Sequence, residues 1–105
     1  MTDYKFSVII PAYNCAGTIK NAVDSVLSQS YDNFELIIVD DGSTDSTADV
    51  LNEISISDGR VKTFYQKNSG PAEARNFGIK NSSGDYVLFI DSDDRFNTGA
   101  FERIN

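Results

Sequence analysis

A chain of 105 residues with 40% hydrophobic and 24% charged residues has the length and composition of one globular domain, which excludes disordered, collagen-like and membrane-spanning classes. Its formal charge of −7 argues against a nucleic-acid backbone or an anionic membrane surface as the main partner, because either would repel it; an anionic ligand would need local positive help from a metal or from helix N-termini. Cys15 is the only cysteine and histidine is absent, so an intrachain disulfide, a multi-cysteine or histidine-ligated zinc site and a Ser-His-Asp triad are excluded.

Cys15 reads as a small half-buried side chain, since no histidine could activate it as a nucleophile. No apolar run approaches the ~20 residues needed to span a bilayer, and residues 1 to 10 lack the basic start and long apolar middle of a signal peptide. The expected compartment is reducing and cytoplasmic. Segments outside these residues could carry the protein to the inner face of the membrane.

Along the chain, Phe6 to Ile10 reads as a first strand. Thr18 to Gln29 follows with Ile19, Ala22, Val23, Val26 and Leu27 at i, i+3, i+4, i+7 and i+8, the single apolar stripe of a helix. Phe34 to Val39 reads as a second strand. A second helix is predicted from Ser46 to about Ile56, burying Ala48, Leu51 and Ile54 behind a start marked by Ser43, Thr44 and Asp45. Val61 to Gln66 reads as a third strand. Pro71, whose fixed φ and missing N–H suit a first helical position, opens a third helix to about Asn81, and Ser82-Ser83-Gly84 breaks it before the strand Tyr86 to Ile90. Three of the strands are nearly continuous apolar runs, as in the middle of a parallel sheet covered on both faces. The alternation βαβαβαβ predicts an α/β fold with right-handed crossovers and a doubly wound sheet. With strand order 3-2-1-4 the winding reverses between strands 1 and 4, so a ligand belongs at the carboxyl ends there. The loops to watch are Pro11 to Asn14, Asp40 to Asp45 and Asp91 to Asp94.

Asp91-Ser92-Asp93-Asp94 directly follows the last strand. Three carboxylates at one strand end repel unless a cation sits among them, and oxygen ligands favour a hard ion, Mg2+ or Mn2+; the alternative is that Asp93 and Asp94 cap a helix in solvent. Asp40-Asp41-Gly42-Ser43 closes the second strand, where an acidic residue can reach a ribose hydroxyl or a base N–H, or else form a turn in which Gly42 supplies positive φ. At the end of the first strand Tyr13 offers an aromatic face, for a base or for packing, and Asn14 a donor and an acceptor. From Asn68 to Asn76 a strand turns into a helix, so free N–H groups near Ala72 and Glu73 could face an anion, with Arg75 either adding positive charge or pairing with a nearby Glu. Neither G-x-G-x-x-G nor G-x-x-x-x-G-K-[ST] occurs, so phosphate must be held another way.

Taken in order, Ser7 to Asn14, Ser25 to Tyr31, Phe34 to Asp45, Gly70 to Gly78 and Asp91 to Asp94 resemble glycosyltransferase family 2, the inverting enzymes of the GT-A fold, over nearly the whole chain. The resemblance implies a Rossmann-like GT-A nucleotide-diphospho-sugar transferase fold and a metal-dependent transfer of sugar, from a UDP-sugar by preference, to an acceptor hydroxyl with inversion. It implies that Pro11, Ala12, Tyr13 and Asn14 line the base pocket, that Asp41 hydrogen-bonds the base, commonly uracil, and that Arg75 lies near the base or diphosphate. Asp91-Ser92-Asp93 matches the family's D-x-D motif, with Asp91 and Ser92 on the nucleotide and Asp93 on the Mn2+ or Mg2+ that bridges the phosphates.

Members of that family are about twice this length or more, and their second half holds the acceptor site and the catalytic base. Residues 1 to 105 are therefore expected to be the truncated N-terminal, nucleotide-sugar-binding part, with the acceptor half and base beyond Asn105 and Gly99 to Asn105 a helix cut short. The acceptor would be a saccharide or lipid-linked hydroxyl, in polysaccharide biosynthesis. Three other readings stand beside this one. A fragment could hold metal and nucleotide without catalysis. Asp91 to Arg95 superficially resembles the motif of haloacid-dehalogenase-like phosphatases, though Arg95 stands where Thr or Val is expected. A signalling receiver domain fits the size and acidity, but its acidic pair should follow the first strand.

Overall fold

A computed structural model describes residues 4–93. Its elements are β1 (Phe6–Ala12), α1 (Ile19–Leu27), β2 (Phe34–Asp41), α2 (Thr47–Ser57), β3 (Val61–Gln66), α3 (Pro71–Lys80) and β4 (Tyr86–Phe89). The strands form one parallel sheet in the order β3-β2-β1-β4, as the alternation of strands and helices predicts. Register is set at one end by Phe6 of β1, which pairs with Phe34 of β2 and Tyr86 of β4.

Because successive strand residues point to opposite faces, β1 and β2 divide their apolar residues between two layers. Phe6, Val8 and Ile10 join Leu36 and Ile38 against α1 and α2, where Ile19, Ala22, Val23, Val26, Leu51 and Ile54 are buried. Ile9, Ile37 and Val39 face the other way and pack with Ala74 and Phe77 of α3 and with Phe64 of β3. Both faces are covered, so these strands carry continuous apolar runs instead of alternating ones. Each large side chain fully buried here contributes about 1.5–3 kcal/mol relative to exposure.

The helices fall within a residue or two of their predicted bounds. α1 ends at Leu27, and Gln29 turns back so that its side-chain amide donates to the Ser25 carbonyl at 3.0 Å. At the start of α2, the Asp45 carboxylate accepts the Thr47 N–H at 2.9 Å, and Ala48 is only half-buried. β4 is the outermost strand among the described residues, as the order 3-2-1-4 predicts, but its apolar run is not covered on both faces: Tyr86 and Phe89 are 45% and 47% exposed. The expected helix from Gly99 to Asn105, like Asp94, lies outside the described residues.

α3 lies close on the sheet because Gly78 faces Ile9: a Cβ at Gly78 would stand 2.6 Å from Ile9 Cγ2. At the amino end of the sheet a buried carboxylate, Glu35, joins three segments. It accepts Ser7 Oγ at 2.6 Å, the Ser83 N–H at 2.6 Å and Lys62 Nζ at 2.9 Å. Burial pushes the Glu35 pKa up, but the bonds from Ser7, Ser83 and Lys62 outweigh it and hold it at about 2. The charged form is thus favoured by folding, which contributes stability above the ordinary value of 4.5 that is lost as pH falls from there toward 2.

Gly78→Ala is expected to lower stability by about 1–3 kcal/mol, read as a reduced urea midpoint at unchanged slope. Glu35→Gln is expected to lose on the order of 2–3 kcal/mol at pH 7 and to flatten the fall in stability between pH 5 and pH 2. Urea titrations of both proteins across that range measure the difference.

Candidate functional site

The carboxyl ends of the parallel strands open onto a cavity of about 600 Å3 lined by all nine residues singled out above: Pro11, Ala12, Tyr13, Asn14, Asp41, Arg75, Asp91, Ser92 and Asp93. Its size and position suit a small-molecule site at the reversal of winding in an α/β sheet. Pro11 explains why β1 and β4 part there. The Lys5 and Ile9 carbonyls accept from β4 backbone N–H groups, so by alternation the Pro11 nitrogen falls on that same side, past the last pairing of Ile9 with Phe89. A residue without an N–H loses no ladder bond at that point.

Beyond Ala12 the chain enters a loop tied to its neighbour. Asn14 has φ 46°, a left-handed conformation that Asn tolerates better than most residues. Its amide oxygen accepts the Thr44 and Asp45 N–H groups at 2.7 and 3.3 Å, and its own N–H donates to Ser43 Oγ at 2.9 Å. The Cys15 N–H donates to Thr47 Oγ1 at 2.9 Å. These bonds bind the loop after β1 to the loop after β2 and leave Tyr13 48% exposed at the cavity wall. Asn14 lines the cavity while spending its amide on the adjoining loop. Cys15 is buried, and burial raises its thiol pKa above the ordinary value, in keeping with a packing role.

The two acidic residues at the end of β2 divide the roles left open for them. Asp40 is buried and accepts the Ser43 N–H at 3.0 Å, and Gly42 has φ 73°, so this half is the turn. Asp41 belongs to the cavity. Its Oδ1 accepts Gln66 Nε2 at 2.8 Å and the Ser69 N–H at 2.7 Å, and its Oδ2 accepts the Gly70 N–H at 3.0 Å. Burial works to raise the Asp41 pKa, and the donors from Gln66, Ser69 and Gly70 overcome it and hold the group below its ordinary value. The Asn68 side chain also donates to the Asp41 carbonyl at 3.1 Å. The loop before α3 therefore encloses Asp41, and Gly42 is needed for that closeness, since a Cβ there would lie 2.7 Å from the Asn68 nitrogen.

On the opposite wall, Arg75 Nη2 lies 3.7 Å from Asp91 Oδ1, and its guanidinium stands 6.0 Å over the Phe89 ring. Arg75 thus pairs with the carboxylate after β4 rather than with a neighbouring Glu. It offsets charge where Asp91 and Asp93 stand exposed at one strand end. Among the described residues no three His, Cys, Asp or Glu side chains converge as a metal cage. The donor set of exposed carboxylates fits a hard divalent cation held by one or two protein oxygens together with a ligand's phosphates. Sequence reasoning passed over the enclosure of Asp41: Gln66 read as the end of a strand, while Asn68 and Ser69 read as a turn. Of the extra cavity-lining residues, Asn68, Gly70 and Pro71 belong to the strand-to-helix segment singled out above without a role of their own, and Cys15 and Thr18 carried no motif.

An α/β sheet of order 3-2-1-4 with its cavity at the carboxyl ends of the strands is Rossmann-like, and solved structures of the GT-A class superimpose closely on it. Staphylococcus aureus TarS residues 1–349, in complex with UDP-GlcNAc, matches with a TM-score of 0.88 and 36% identity over 95% of this chain and 30% of that one. The mannosyltransferase PcManGT of Pyrobaculum calidifontis, in complex with GDP-Man and Mn2+, matches with a TM-score of 0.83 and 26% identity over 89% of this chain and 28% of that one. The profile of glycosyl transferase family 2 matches residues 7–104, and the chain belongs to that family. A glycosyltransferase of Rickettsia conorii is 52% identical over 102 residues, 97% of this chain and 17% of that protein. The putative teichuronic acid biosynthesis glycosyltransferase TuaG of Bacillus subtilis is 44% identical over 106 residues, 98% of this chain and 42% of that protein. The chain thus spans less than half the length of these relatives. Family membership sets aside the phosphatase and receiver-domain readings. No helix among the described residues is long and apolar enough to cross a membrane.

Asn14→Ala is expected to cost about 1–3 kcal/mol and to speed amide hydrogen exchange at Thr44 and Asp45. Asn14→Gly, which tolerates positive φ but lacks the amide, is expected to recover stability only in part and none of the protection. Exchange rates by NMR separate the two contributions.

Proposed function

We propose that this chain is the N-terminal, nucleotide-sugar-binding part of a GT-A glycosyltransferase that transfers a sugar from a UDP-sugar to an acceptor hydroxyl with inversion, dependent on Mn2+ or Mg2+. The observation that carries this reading is the convergence of Tyr13, Asp41, Arg75, Asp91 and Asp93, from the loop after β1, the end of β2, helix α3 and the loop after β4, on one cavity. The complexes of TarS with UDP-GlcNAc and of PcManGT with GDP-Man and Mn2+ support it by likeness.

Each residue has a task that its chemistry suits. Tyr13, with Pro11, Ala12 and Asn14, forms the wall against which a base lies, presenting an aromatic face. Asp41, ionised and acceptor-only, takes the ring N–H of uracil. Asp91 and Ser92 lie on the ribose side, and Asp93 supplies a carboxylate oxygen to the cation. A bound divalent cation would neutralise the diphosphate as the sugar's anomeric C–O bond breaks. Arg75 and the N-terminus of α3 add positive potential in a chain whose formal charge of −7 otherwise opposes an anionic ligand. Direct displacement at the anomeric carbon requires a base to deprotonate the acceptor, and this reading assigns that role to no residue of the present chain. The acceptor is a saccharide or lipid-linked hydroxyl.

Calorimetric titration of UDP is expected to show binding with Mn2+ that EDTA abolishes and that Asp93→Asn weakens at least tenfold, equivalent to about 1.4 kcal/mol. No binding by a protein shown by circular dichroism to be folded would overturn the reading.

A further inference from the structure

Asp41 and Gln66 are the last residues of adjacent strands and stand in register, so their side chains share one face of the sheet as cross-strand neighbours. Asp41 lines the cavity and Gln66 does not. The contact at 2.8 Å therefore reaches the carboxylate from the side away from the ligand space. A carboxylate offers about four lone-pair sites, and three are filled: two on Oδ1, by Gln66 and the Ser69 N–H, and one on Oδ2, by the Gly70 N–H. Of these donors Gln66 alone is a side chain, and it is neutral. Lysine or arginine there would cancel the charge of Asp41 as well as orient it. An amide orients it and leaves its negative charge for the cavity.

We infer that Gln66 is a positioning and specificity-determining residue that holds Asp41 as an oriented, acceptor-only group with Oδ2 open, so that the site selects nucleotide bases presenting a ring N–H and rejects bases presenting a ring lone pair. This rests on the nucleotide-binding reading above. Uracil and guanine meet the requirement, because each carries a hydrogen on the ring nitrogen beside a carbonyl. Cytosine carries a lone pair at the corresponding nitrogen, which an ionised carboxylate repels. Without Gln66 the carboxylate is freer to turn and to take up a proton. A protonated carboxyl donates a hydrogen bond, and the discrimination between the two kinds of base narrows.

The test is titration of UDP and of CDP, with Mn2+, into the wild-type protein and Gln66→Leu at pH 7.5 and pH 5.0. Wild type is expected to favour UDP over CDP by tenfold or more with little change between the two pH values. In Gln66→Leu, UDP affinity is expected to fall five- to tenfold at pH 7.5 and further at pH 5.0, with the UDP-to-CDP ratio compressed. Should Gln66→Leu fail to fold, Gln66→Asn, which keeps the amide but withdraws it by one methylene, is measured in its place with the same expectations. A folded variant with wild-type UDP affinity, ratio and pH profile would overturn the role of Gln66 while leaving the nucleotide reading intact. A variant that loses stability but keeps the ratio and the pH profile would also overturn it, because a purely structural residue moves neither. A folded wild-type protein that binds no UDP overturns both.

Discussion

The arrangement of this domain follows from the position of β1 between β2 and β4, with all three strands parallel. Parallel pairing brings every strand's carboxyl end to one side of the sheet, and connections through helices keep them there. β1 is paired on both edges and buried on both faces, with Phe6, Val8, Ile9 and Ile10 wholly removed from solvent. The loops that leave β1, β2 and β4 are therefore anchored in the most stable part of the molecule. The cavity they line is positioned by the core.

Four carboxylates in this small fold show how environment decides what an acid does. Glu35, at the amino end of the sheet, is saturated by Ser7, Ser83 and Lys62 and joins strands to the turn before β4. Asp40 is buried near the end of β2, where its carboxylate accepts the Ser43 N–H of the turn that follows. Asp41, the next residue, accepts from Gln66, Ser69 and Gly70 and lines the cavity. Asp91 is exposed and lies 3.7 Å from the Arg75 guanidinium. The acidic balance is thus partly absorbed into structure, and only a few carboxylates face the cavity.

Much of this was legible from the residues in order. The apolar stripe of Ile19, Ala22, Val23 and Val26 foretold α1, Pro71 marked the first residue of α3, and the run from Phe34 to Val39 foretold a strand buried on both faces. Short-range patterns of this kind record local geometry and burial, which the chain carries along its length. The exposure of Tyr86 and Phe89 on β4 was not legible, because an apolar run suggests burial without saying which of its faces is covered. The cavity residues were legible as motifs, since strand ends followed by Asp, Asn or Tyr stand out against the apolar runs before them.

By itself, then, the sequence determined the number and order of elements, the strand order 3-2-1-4, the loops that line the cavity, and the family resemblance that residues 7–104 bear out. Only the tertiary structure decided that Asp40 bonds the turn after β2 and Asp41 is a cavity group, that Asn14 binds two loops together, that Arg75 pairs with Asp91, and that Gln66 donates to Asp41. The physical reason is distance along the chain. Gln66 and Asp41 are 25 positions apart and Asn14 and Thr44 are 30 apart, so no local pattern encodes their meeting. Strand register brings them within hydrogen-bonding reach, and register is settled when the two faces of the sheet are buried together.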